Sequence, residues 1–243
     1  MNSQKKKILI ISLVGVTLIG LTFLALSFVK RKKGLKNNVS VKNKNPKKIL
    51  IVGDSQVAIK NASGGAITYT YPNILKKELE PQGYQIDVVA LGGKTTDWMK
   101  ENLLNHLQNN KYDRIYIHGG GNDVNNASIP LEKTIGNFQT MVDAINQSGA
   151  DAFVTLGYKI EGTEGRFGNY TIMNLTKYLS KQEDWIPYIE KRKELQKRLP
   201  NEIQNANFVP VYDLQQKTND GVHPNGDGHK IVAEKIKDSI LNQ

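Results

Sequence analysis

Hydrophobic and polar positions along this chain fall into two regimes. The first is one uncharged run, Ile8 to Val29, 22 residues carrying only scattered Ser and Thr among apolar side chains. The second begins at Lys48, where short apolar runs alternate with stretches of helical spacing. Lys48–Val52 reads as a first strand and Tyr71–Leu79 as a helix. Gln85–Leu91 is a second strand that runs into Gly92-Gly93. Thr96–Gln108 has helical spacing through Trp98, Leu103, Leu104 and Leu107. Asp113–His118 is a third strand, Leu131–Gln147 a helix and Ala152–Leu156 a fourth strand. Trp185–Leu199 is a charged amphipathic helix, Asn207–Tyr212 a fifth strand and Gly226–Leu241 a closing helix. This alternation predicts five parallel strands covered by helices on both faces, a three-layer α/β/α sandwich.

The uncharged run would be roughly 33 Å long as a helix, enough to cross a bilayer core. It reads as a transmembrane anchor, residues 8–29, behind a basic N-terminus, residues 1–7. A cleaved signal peptide is the alternative, with Lys5-Lys6-Lys7 as its basic start and Ala25-Leu26-Ser27 as its cleavage site. Residues 30–47 are polar and rich in Lys and Asn, a linker between the anchor and the domain at 48–243. They suit either a solvated tether or a segment drawn to anionic headgroups. Three lysines precede the span and nine Lys or Arg come after it up to Lys48. By the positive-inside rule this count places the domain in the cytoplasm, whereas a signal-anchor would place it outside. Gly157–Asp184 breaks the strand–helix alternation. It reads either as a lid or substrate loop, or as a surface loop with a few packed aromatics.

Charge changes the picture only when it is divided. The first 50 residues hold 12 of the 33 Lys and Arg and none of the 23 Asp and Glu. The remaining 193 residues are left with 21 basic against 23 acidic side chains, a net of −2. The formal charge of +10 therefore belongs to the N-terminal segment, and the folded part is not a basic nucleic-acid binder. The absence of cysteine excludes disulfides, thiolate metal sites and a Cys nucleophile. No two histidines have metal-ligand spacing on one helix face, which argues against a zinc hydrolase.

In open α/β sheets ligands sit beyond the carboxyl ends of the strands. Ser55, Gly93 and Asn122 fall just past strands one, two and three. Serine is a poor nucleophile unless a base takes its proton and a positive pocket receives the oxyanion. His223 is the candidate base, and Asp220, three residues earlier, is placed to orient its ring. Pro224 and Asn225-Gly226-Asp227 look like a helix start that would fix the loop carrying His223. The Ser55 N–H, the Gly93 N–H and the Asn122 amide are candidate oxyanion donors.

Gly53-Asp54-Ser55, Leu91-Gly92-Gly93-Lys94-Thr95-Thr96, Gly120-Gly121-Asn122-Asp123 and Asp220-Gly221-Val222-His223-Pro224 resemble the four blocks of the SGNH/GDSL hydrolase family, in that family's order. The resemblance runs from about Lys48 to Leu241. It implies a flavodoxin-like sheet, with a helix after the Gly-Asp-Ser turn. It also implies Ser55 as nucleophile, His223 as base, Asp220 as orienting acid, and Gly93 with Asn122 as the oxyanion hole. The family's members are esterases, lipases, thioesterases and carbohydrate O-acetylesterases that need no metal or other cofactor. Two departures stand out. Gln56 replaces the usual Leu, a change expected to alter packing and not chemistry. The second block lacks the Asn that often precedes its glycines, so the N–H donor is Gly92 or Gly93, with Lys94-Thr95-Thr96 favouring Gly93.

The other polar residues have structural readings. Asp54 is expected to bond backbone within its turn, Asp123 to hold its loop, His118 to pack in the core, His229 to be structural and His106 to be solvated. The functional expectation is a single-pass, membrane-tethered serine esterase acting on an acyl ester, with a small O-acyl group on a carbohydrate or cell-envelope polymer as substrate. By the family analogy its domain lies outside the cytoplasm. The alternatives are a lipase or thioesterase on long acyl chains, an O-acyltransferase, or a non-catalytic binding module.

Overall fold

The computed structural model describes residues 47–58, 69–156, 185–211 and 223–242. All fall in the second of the chain's two units, Asn38–Gln243. The proposed span at 8–29, the insertion at 157–184 and Asp220 lie outside the described residues. Among the described residues, no helix is long and apolar enough to cross a membrane.

Five parallel strands form one sheet: β1 (Lys48–Gly53), β2 (Gln85–Ala90), β3 (Arg114–His118), β4 (Asp151–Leu156) and β5 (Asn207–Pro210), in the order β2-β1-β3-β4-β5. Between them run α1 (Tyr71–Leu79), α2 (Thr96–Asn109), the short α3 (Gly121–Asn125), α4 (Leu131–Gln147) and α5 (Trp185–Glu202), and α6 (Gly226–Leu241) closes the chain. Strand side chains alternate between faces, and both faces are apolar, so the sheet must be covered twice. Leu50 and Val52 enter a core with Met99 and Leu103 of α2, Phe138 and Met141 of α4, and Leu195 and Leu199 of α5. Ile49 and Ile51 enter the opposite core with Tyr71, Leu75 and Leu79 of α1 and Val232, Ile236 and Ile240 of α6. The predicted parallel α/β sheet with flanking helices is thus what the chain forms.

The differences are local. Strand β5 is described from Asn207 to Pro210, and the Val211 N–H still donates to the Leu156 carbonyl at 3.3 Å; Tyr212, the expected end, lies outside the described residues. Helix α5 continues past Leu199 and carries Pro200 in its last turn. A 3-10 turn, Glu80–Gln82, and α3 have no counterpart among the predicted elements. His106 is half-buried, not solvated: its Nε2 lies 2.6 Å from the Tyr112 hydroxyl, which donates in turn to Asp87 at 2.8 Å.

The order places β1 between β2 and β3: the chain leaves β1 toward β2 and leaves β3 toward β4, in opposite directions across the sheet. That reversal opens a crevice above the C-terminal ends of β1, β2 and β3.

Candidate active site

The turn after β1 is built so that Ser55 projects into this crevice. Gly53 ends the strand where a Cβ would overlap both the Val57 side chain and the His118 carbonyl, so no other residue fits. Val57 and Ala58 donate N–H bonds back to the Asp54 carbonyl at 3.1 and 3.0 Å. The Asp54 carboxylate accepts the Gln56 N–H at 2.9 Å, as the sequence suggests for a turn-forming aspartate. Ser55 alone in this turn stays part-exposed, between buried Asp54 and buried Gln56.

His223 reaches it from the far end of the chain. The Ser55 Oγ and His223 Nε2 lie 2.9 Å apart across 168 residues of sequence. The next residues anchor the imidazole. Pro224 is buried, and the Asn225 side chain caps α6 by accepting the Gly228 N–H at 2.9 Å.

Two further loops close on the serine. Gly92, after β2, stands beside it: a Cβ there would lie 3.7 Å from the Ser55 Cβ. Gly93 is exposed and takes a left-handed φ of +76°, which turns the chain toward α2. After β3, Asn122 donates one amide hydrogen to the Lys94 carbonyl at 2.9 Å, tying its loop to the Gly-Gly turn. Its contact to Asp54 Oδ2 is long, 3.5 Å. Asp123 accepts the Thr96 N–H at 2.9 Å and the Thr96 hydroxyl, fixing the start of α2. Its role is therefore the loop-holding one expected.

Beneath the site lies a buried polar layer. The Tyr71 hydroxyl lies 3.2 Å from His118 Nδ1, and the Tyr71 N–H donates to His229 Nδ1 at 3.3 Å. Burial, with Arg192 adding to it, pushes the His118 pKa down to about 3. Burial, then the neighbouring His223, pushes His229 down to about 4. Burial also pushes Asp54 up to about 6, opposed by the Gln56 N–H, Arg192 and His223. By sequence Arg192 is one charge among many on an amphipathic helix, yet it is only 6 % exposed. Its signal is its phase: Arg192, Leu195 and Leu199 share one face at helical spacing, and all three are buried.

The structure thus brings Ser55, His223, Asn122 and the Gly92-Gly93 turn to one crevice, while Asp220 lies outside the described residues. A serine hydroxyl in hydrogen-bond contact with an imidazole, at the carboxyl edge of a parallel sheet, defines the class of serine hydrolases on α/β folds. Residues 51–231 match the GDSL-like Lipase/Acylhydrolase family, and the chain belongs to that family. It is a serine hydrolase that acts on ester bonds.

Solved structures share the fold. A member of the lipolytic protein G-D-S-L family from Veillonella parvula superposes with a TM-score of 0.60 at 14% identity, covering 81% of this chain and 99% of that one. A catalytic mutant of Axe2, an acetylxylan esterase from Geobacillus stearothermophilus, gives 0.59 at 18% identity, covering 81% and 94%. The psychrotrophic esterase EstA from Pseudoalteromonas sp. gives 0.52 at 17% identity, covering 79% and 96%. No curated protein matches the chain.

Proposed function

We propose that this enzyme is a membrane-tethered esterase that removes a small O-acyl group, such as acetate, from a carbohydrate or cell-envelope polymer. The observation that carries the reading is the 2.9 Å contact between Ser55 Oγ and His223 Nε2. In it Ser55 attacks the acyl carbon while His223 takes the hydroxyl proton, and Asp220 orients the imidazole and stabilises it once charged. The Gly93 N–H, the Ser55 N–H and the Asn122 amide receive the oxyanion. Asn122 suits that role because its bond to Lys94 commits one Nδ2 hydrogen. Its other hydrogen has only the 3.5 Å contact to Asp54 and is available to a stronger acceptor. His223 then protonates the departing alcohol, and water activated by the same ring releases the acyl group.

The carbohydrate ester is favoured by the acetylxylan esterase among the proteins that share this fold. The tether rests on the uncharged run Ile8 to Val29 and would hold the domain against the envelope, outside the cytoplasm.

Hydrolysis of p-nitrophenyl acetate and p-nitrophenyl octanoate by the full chain, with Ser55→Ala as the blank, tests this. A higher kcat/KM on the acetate is expected. Preference for octanoate would replace the reading with a lipase or thioesterase, and no rate above the Ser55→Ala blank on either ester would remove it. Asn122→Ala should lower kcat by roughly 10²–10³ with little change in KM, because its amide serves the oxyanion more than the ground-state ester. A rise in KM at unchanged kcat would assign Asn122 to substrate binding instead.

A further inference from the structure

We propose that Tyr69 is the platform on which the sugar ring of the substrate stacks, on the leaving-alcohol side of the site. This rests on the carbohydrate esterase reading above and names the part of the substrate that the described residues receive.

The ring is held in place yet left open. Tyr69 is 48 % exposed, and the other two large apolar side chains exposed among the described residues, Leu104 and Leu241, sit on α2 and at the end of α6. One edge of the ring rests against Gly226: a Cβ there would lie 3.2 Å from Tyr69 Cε1 and 3.5 Å from Cδ1. Any larger residue at that position would displace the ring. Lys230, one turn along α6 and paired with Asp227 at 3.5 Å, has its pKa raised by the neighbouring Tyr69 hydroxyl. An aromatic packed along one edge, with the rest of its surface in water, has less rotamer freedom to lose when a ligand stacks on it.

The chain itself fixes where this ring stands relative to the chemistry. Gly226 is three residues after His223, so their Cα atoms lie within about 11 Å. Two residues beyond Tyr69, the Tyr71 N–H donates to His229, and His229 feels the charge of His223. Tyr69 therefore stands on the His223 side of Ser55, whereas Gly92, Gly93 and Asn122 come from the loops after β2 and β3.

That side has a defined chemical meaning. In acyl transfer the Ser55 Oγ–acyl carbon bond forms, the bond from acyl carbon to sugar oxygen breaks, and the sugar oxygen takes its proton from His223. The leaving alcohol must lie next to the imidazole and away from the oxyanion donors. For an O-acetyl sugar that alcohol is the sugar itself. The axial C–H bonds of a pyranose present a flat apolar face, which packs on an aromatic ring while the hydroxyls stay in water.

The test compares acetate release by the full chain from methyl tri-O-acetyl-xylopyranoside and from ethyl acetate, whose alcohol has no ring. Tyr69→Ala should raise KM for the sugar ester about five- to tenfold at nearly unchanged kcat, the size of one aromatic stacking contact. It should leave ethyl acetate kinetics unchanged, and Tyr69→Trp should keep the wild-type KM. Equal losses on both esters would make Tyr69 structural, and no change on either would overturn the platform. A second measurement is independent of turnover: saturation-transfer NMR of methyl xylopyranoside with Ser55→Ala, with and without Tyr69→Ala. Contact to Ser55→Ala that vanishes in the double variant is expected, and contact that survives, or is absent from both, overturns the proposal. An enzyme inactive on both esters would sink the esterase reading, while the NMR comparison would still decide the platform.

Discussion

His223→Ala should lower kcat on an acetyl ester by roughly 10⁴–10⁶, and Ser55→Ala by about as much. The double variant should be no slower than the worse single one. The reason is the shared proton. Ser55 Oγ, 2.9 Å from His223 Nε2, has no other imidazole beside it among the described residues. Without the ring the hydroxyl keeps its ordinary weak nucleophilicity, and without the hydroxyl the ring has nothing to deprotonate. Two groups that act as one unit give strongly non-additive losses. Asp220→Ala should cost less than either, because an orienting acid only biases the ring toward its productive tautomer. Losses that multiply in the Ser55→Ala, His223→Ala double variant would mean that the two groups act separately, and the assigned chemistry would fail.

Much of this site is legible in the sequence because Ser55, Gly92-Gly93 and Asn122 sit where the pattern changes from apolar run to glycine. Gly53 ends β1, Gly92-Gly93 and Gly120-Gly121 come within three residues of the ends of β2 and β3, and the parallel sheet makes those ends neighbours. Helices α1, α4 and α6 are legible to the residue because proline or an asparagine cap punctuates their starts: Pro72, Pro130 and Asn225. Helix α3 escapes because five residues with one apolar side chain, Val124, show no period. Strand order carries no periodic signal either, and only the family resemblance implies it. The contacts that escape sequence reasoning are long-range and polar. His106 meets Tyr112 and through it Asp87, on different elements, and the layer of Tyr71, His118 and His229 joins α1, β3 and α6. Periodicity ranks residues by burial and says nothing about which polar groups share a buried space.

That layer also explains why the site is set on so much unfavourable chemistry. A carboxylate at Asp54 and imidazoles at His118 and His229 are all held away from their ordinary ionisation by burial. Burying such groups costs stability, and here each one braces something the site uses. Asp54 shapes the Ser55 turn. Tyr71 and His229 join α1 to α6 close behind His223. His118 offers its carbonyl to the Asp54 N–H at 3.4 Å.

The cost should appear as acid sensitivity assignable to one residue. His118 has a folded pKa of about 3 against an ordinary 6.5, so below pH 6.5 the unfolded chain binds a proton that the folded one refuses. Stability from this group is intact above pH 6.5 and falls as the pH drops toward 3, by up to about 5 kcal/mol over the whole window at roughly 1.4 kcal/mol per unit. His229 acts in the same direction down to about pH 4. Asp54 acts in the opposite one: its folded pKa of about 6 lies above the ordinary 3.8, so the folded state gains a proton first as the pH falls through 6. Between pH 6 and 4 the contributions of His229 and Asp54 therefore roughly cancel, and the wild-type curve keeps about the slope that His118 alone would give it. His118→Asn removes the imidazole and keeps an oxygen able to accept from the Tyr71 hydroxyl. Urea unfolding of both proteins at pH 7, 6, 5 and 4 should show the free-energy difference moving in the variant's favour by about 1.4 kcal/mol per unit below pH 6. The variant's absolute stability at pH 7 is immaterial, because only the pH dependence of the difference reports the proton. Parallel curves would mean that His118 titrates alike in the folded and unfolded chain, and that its contact with Tyr71 is made in water's reach instead of in the core.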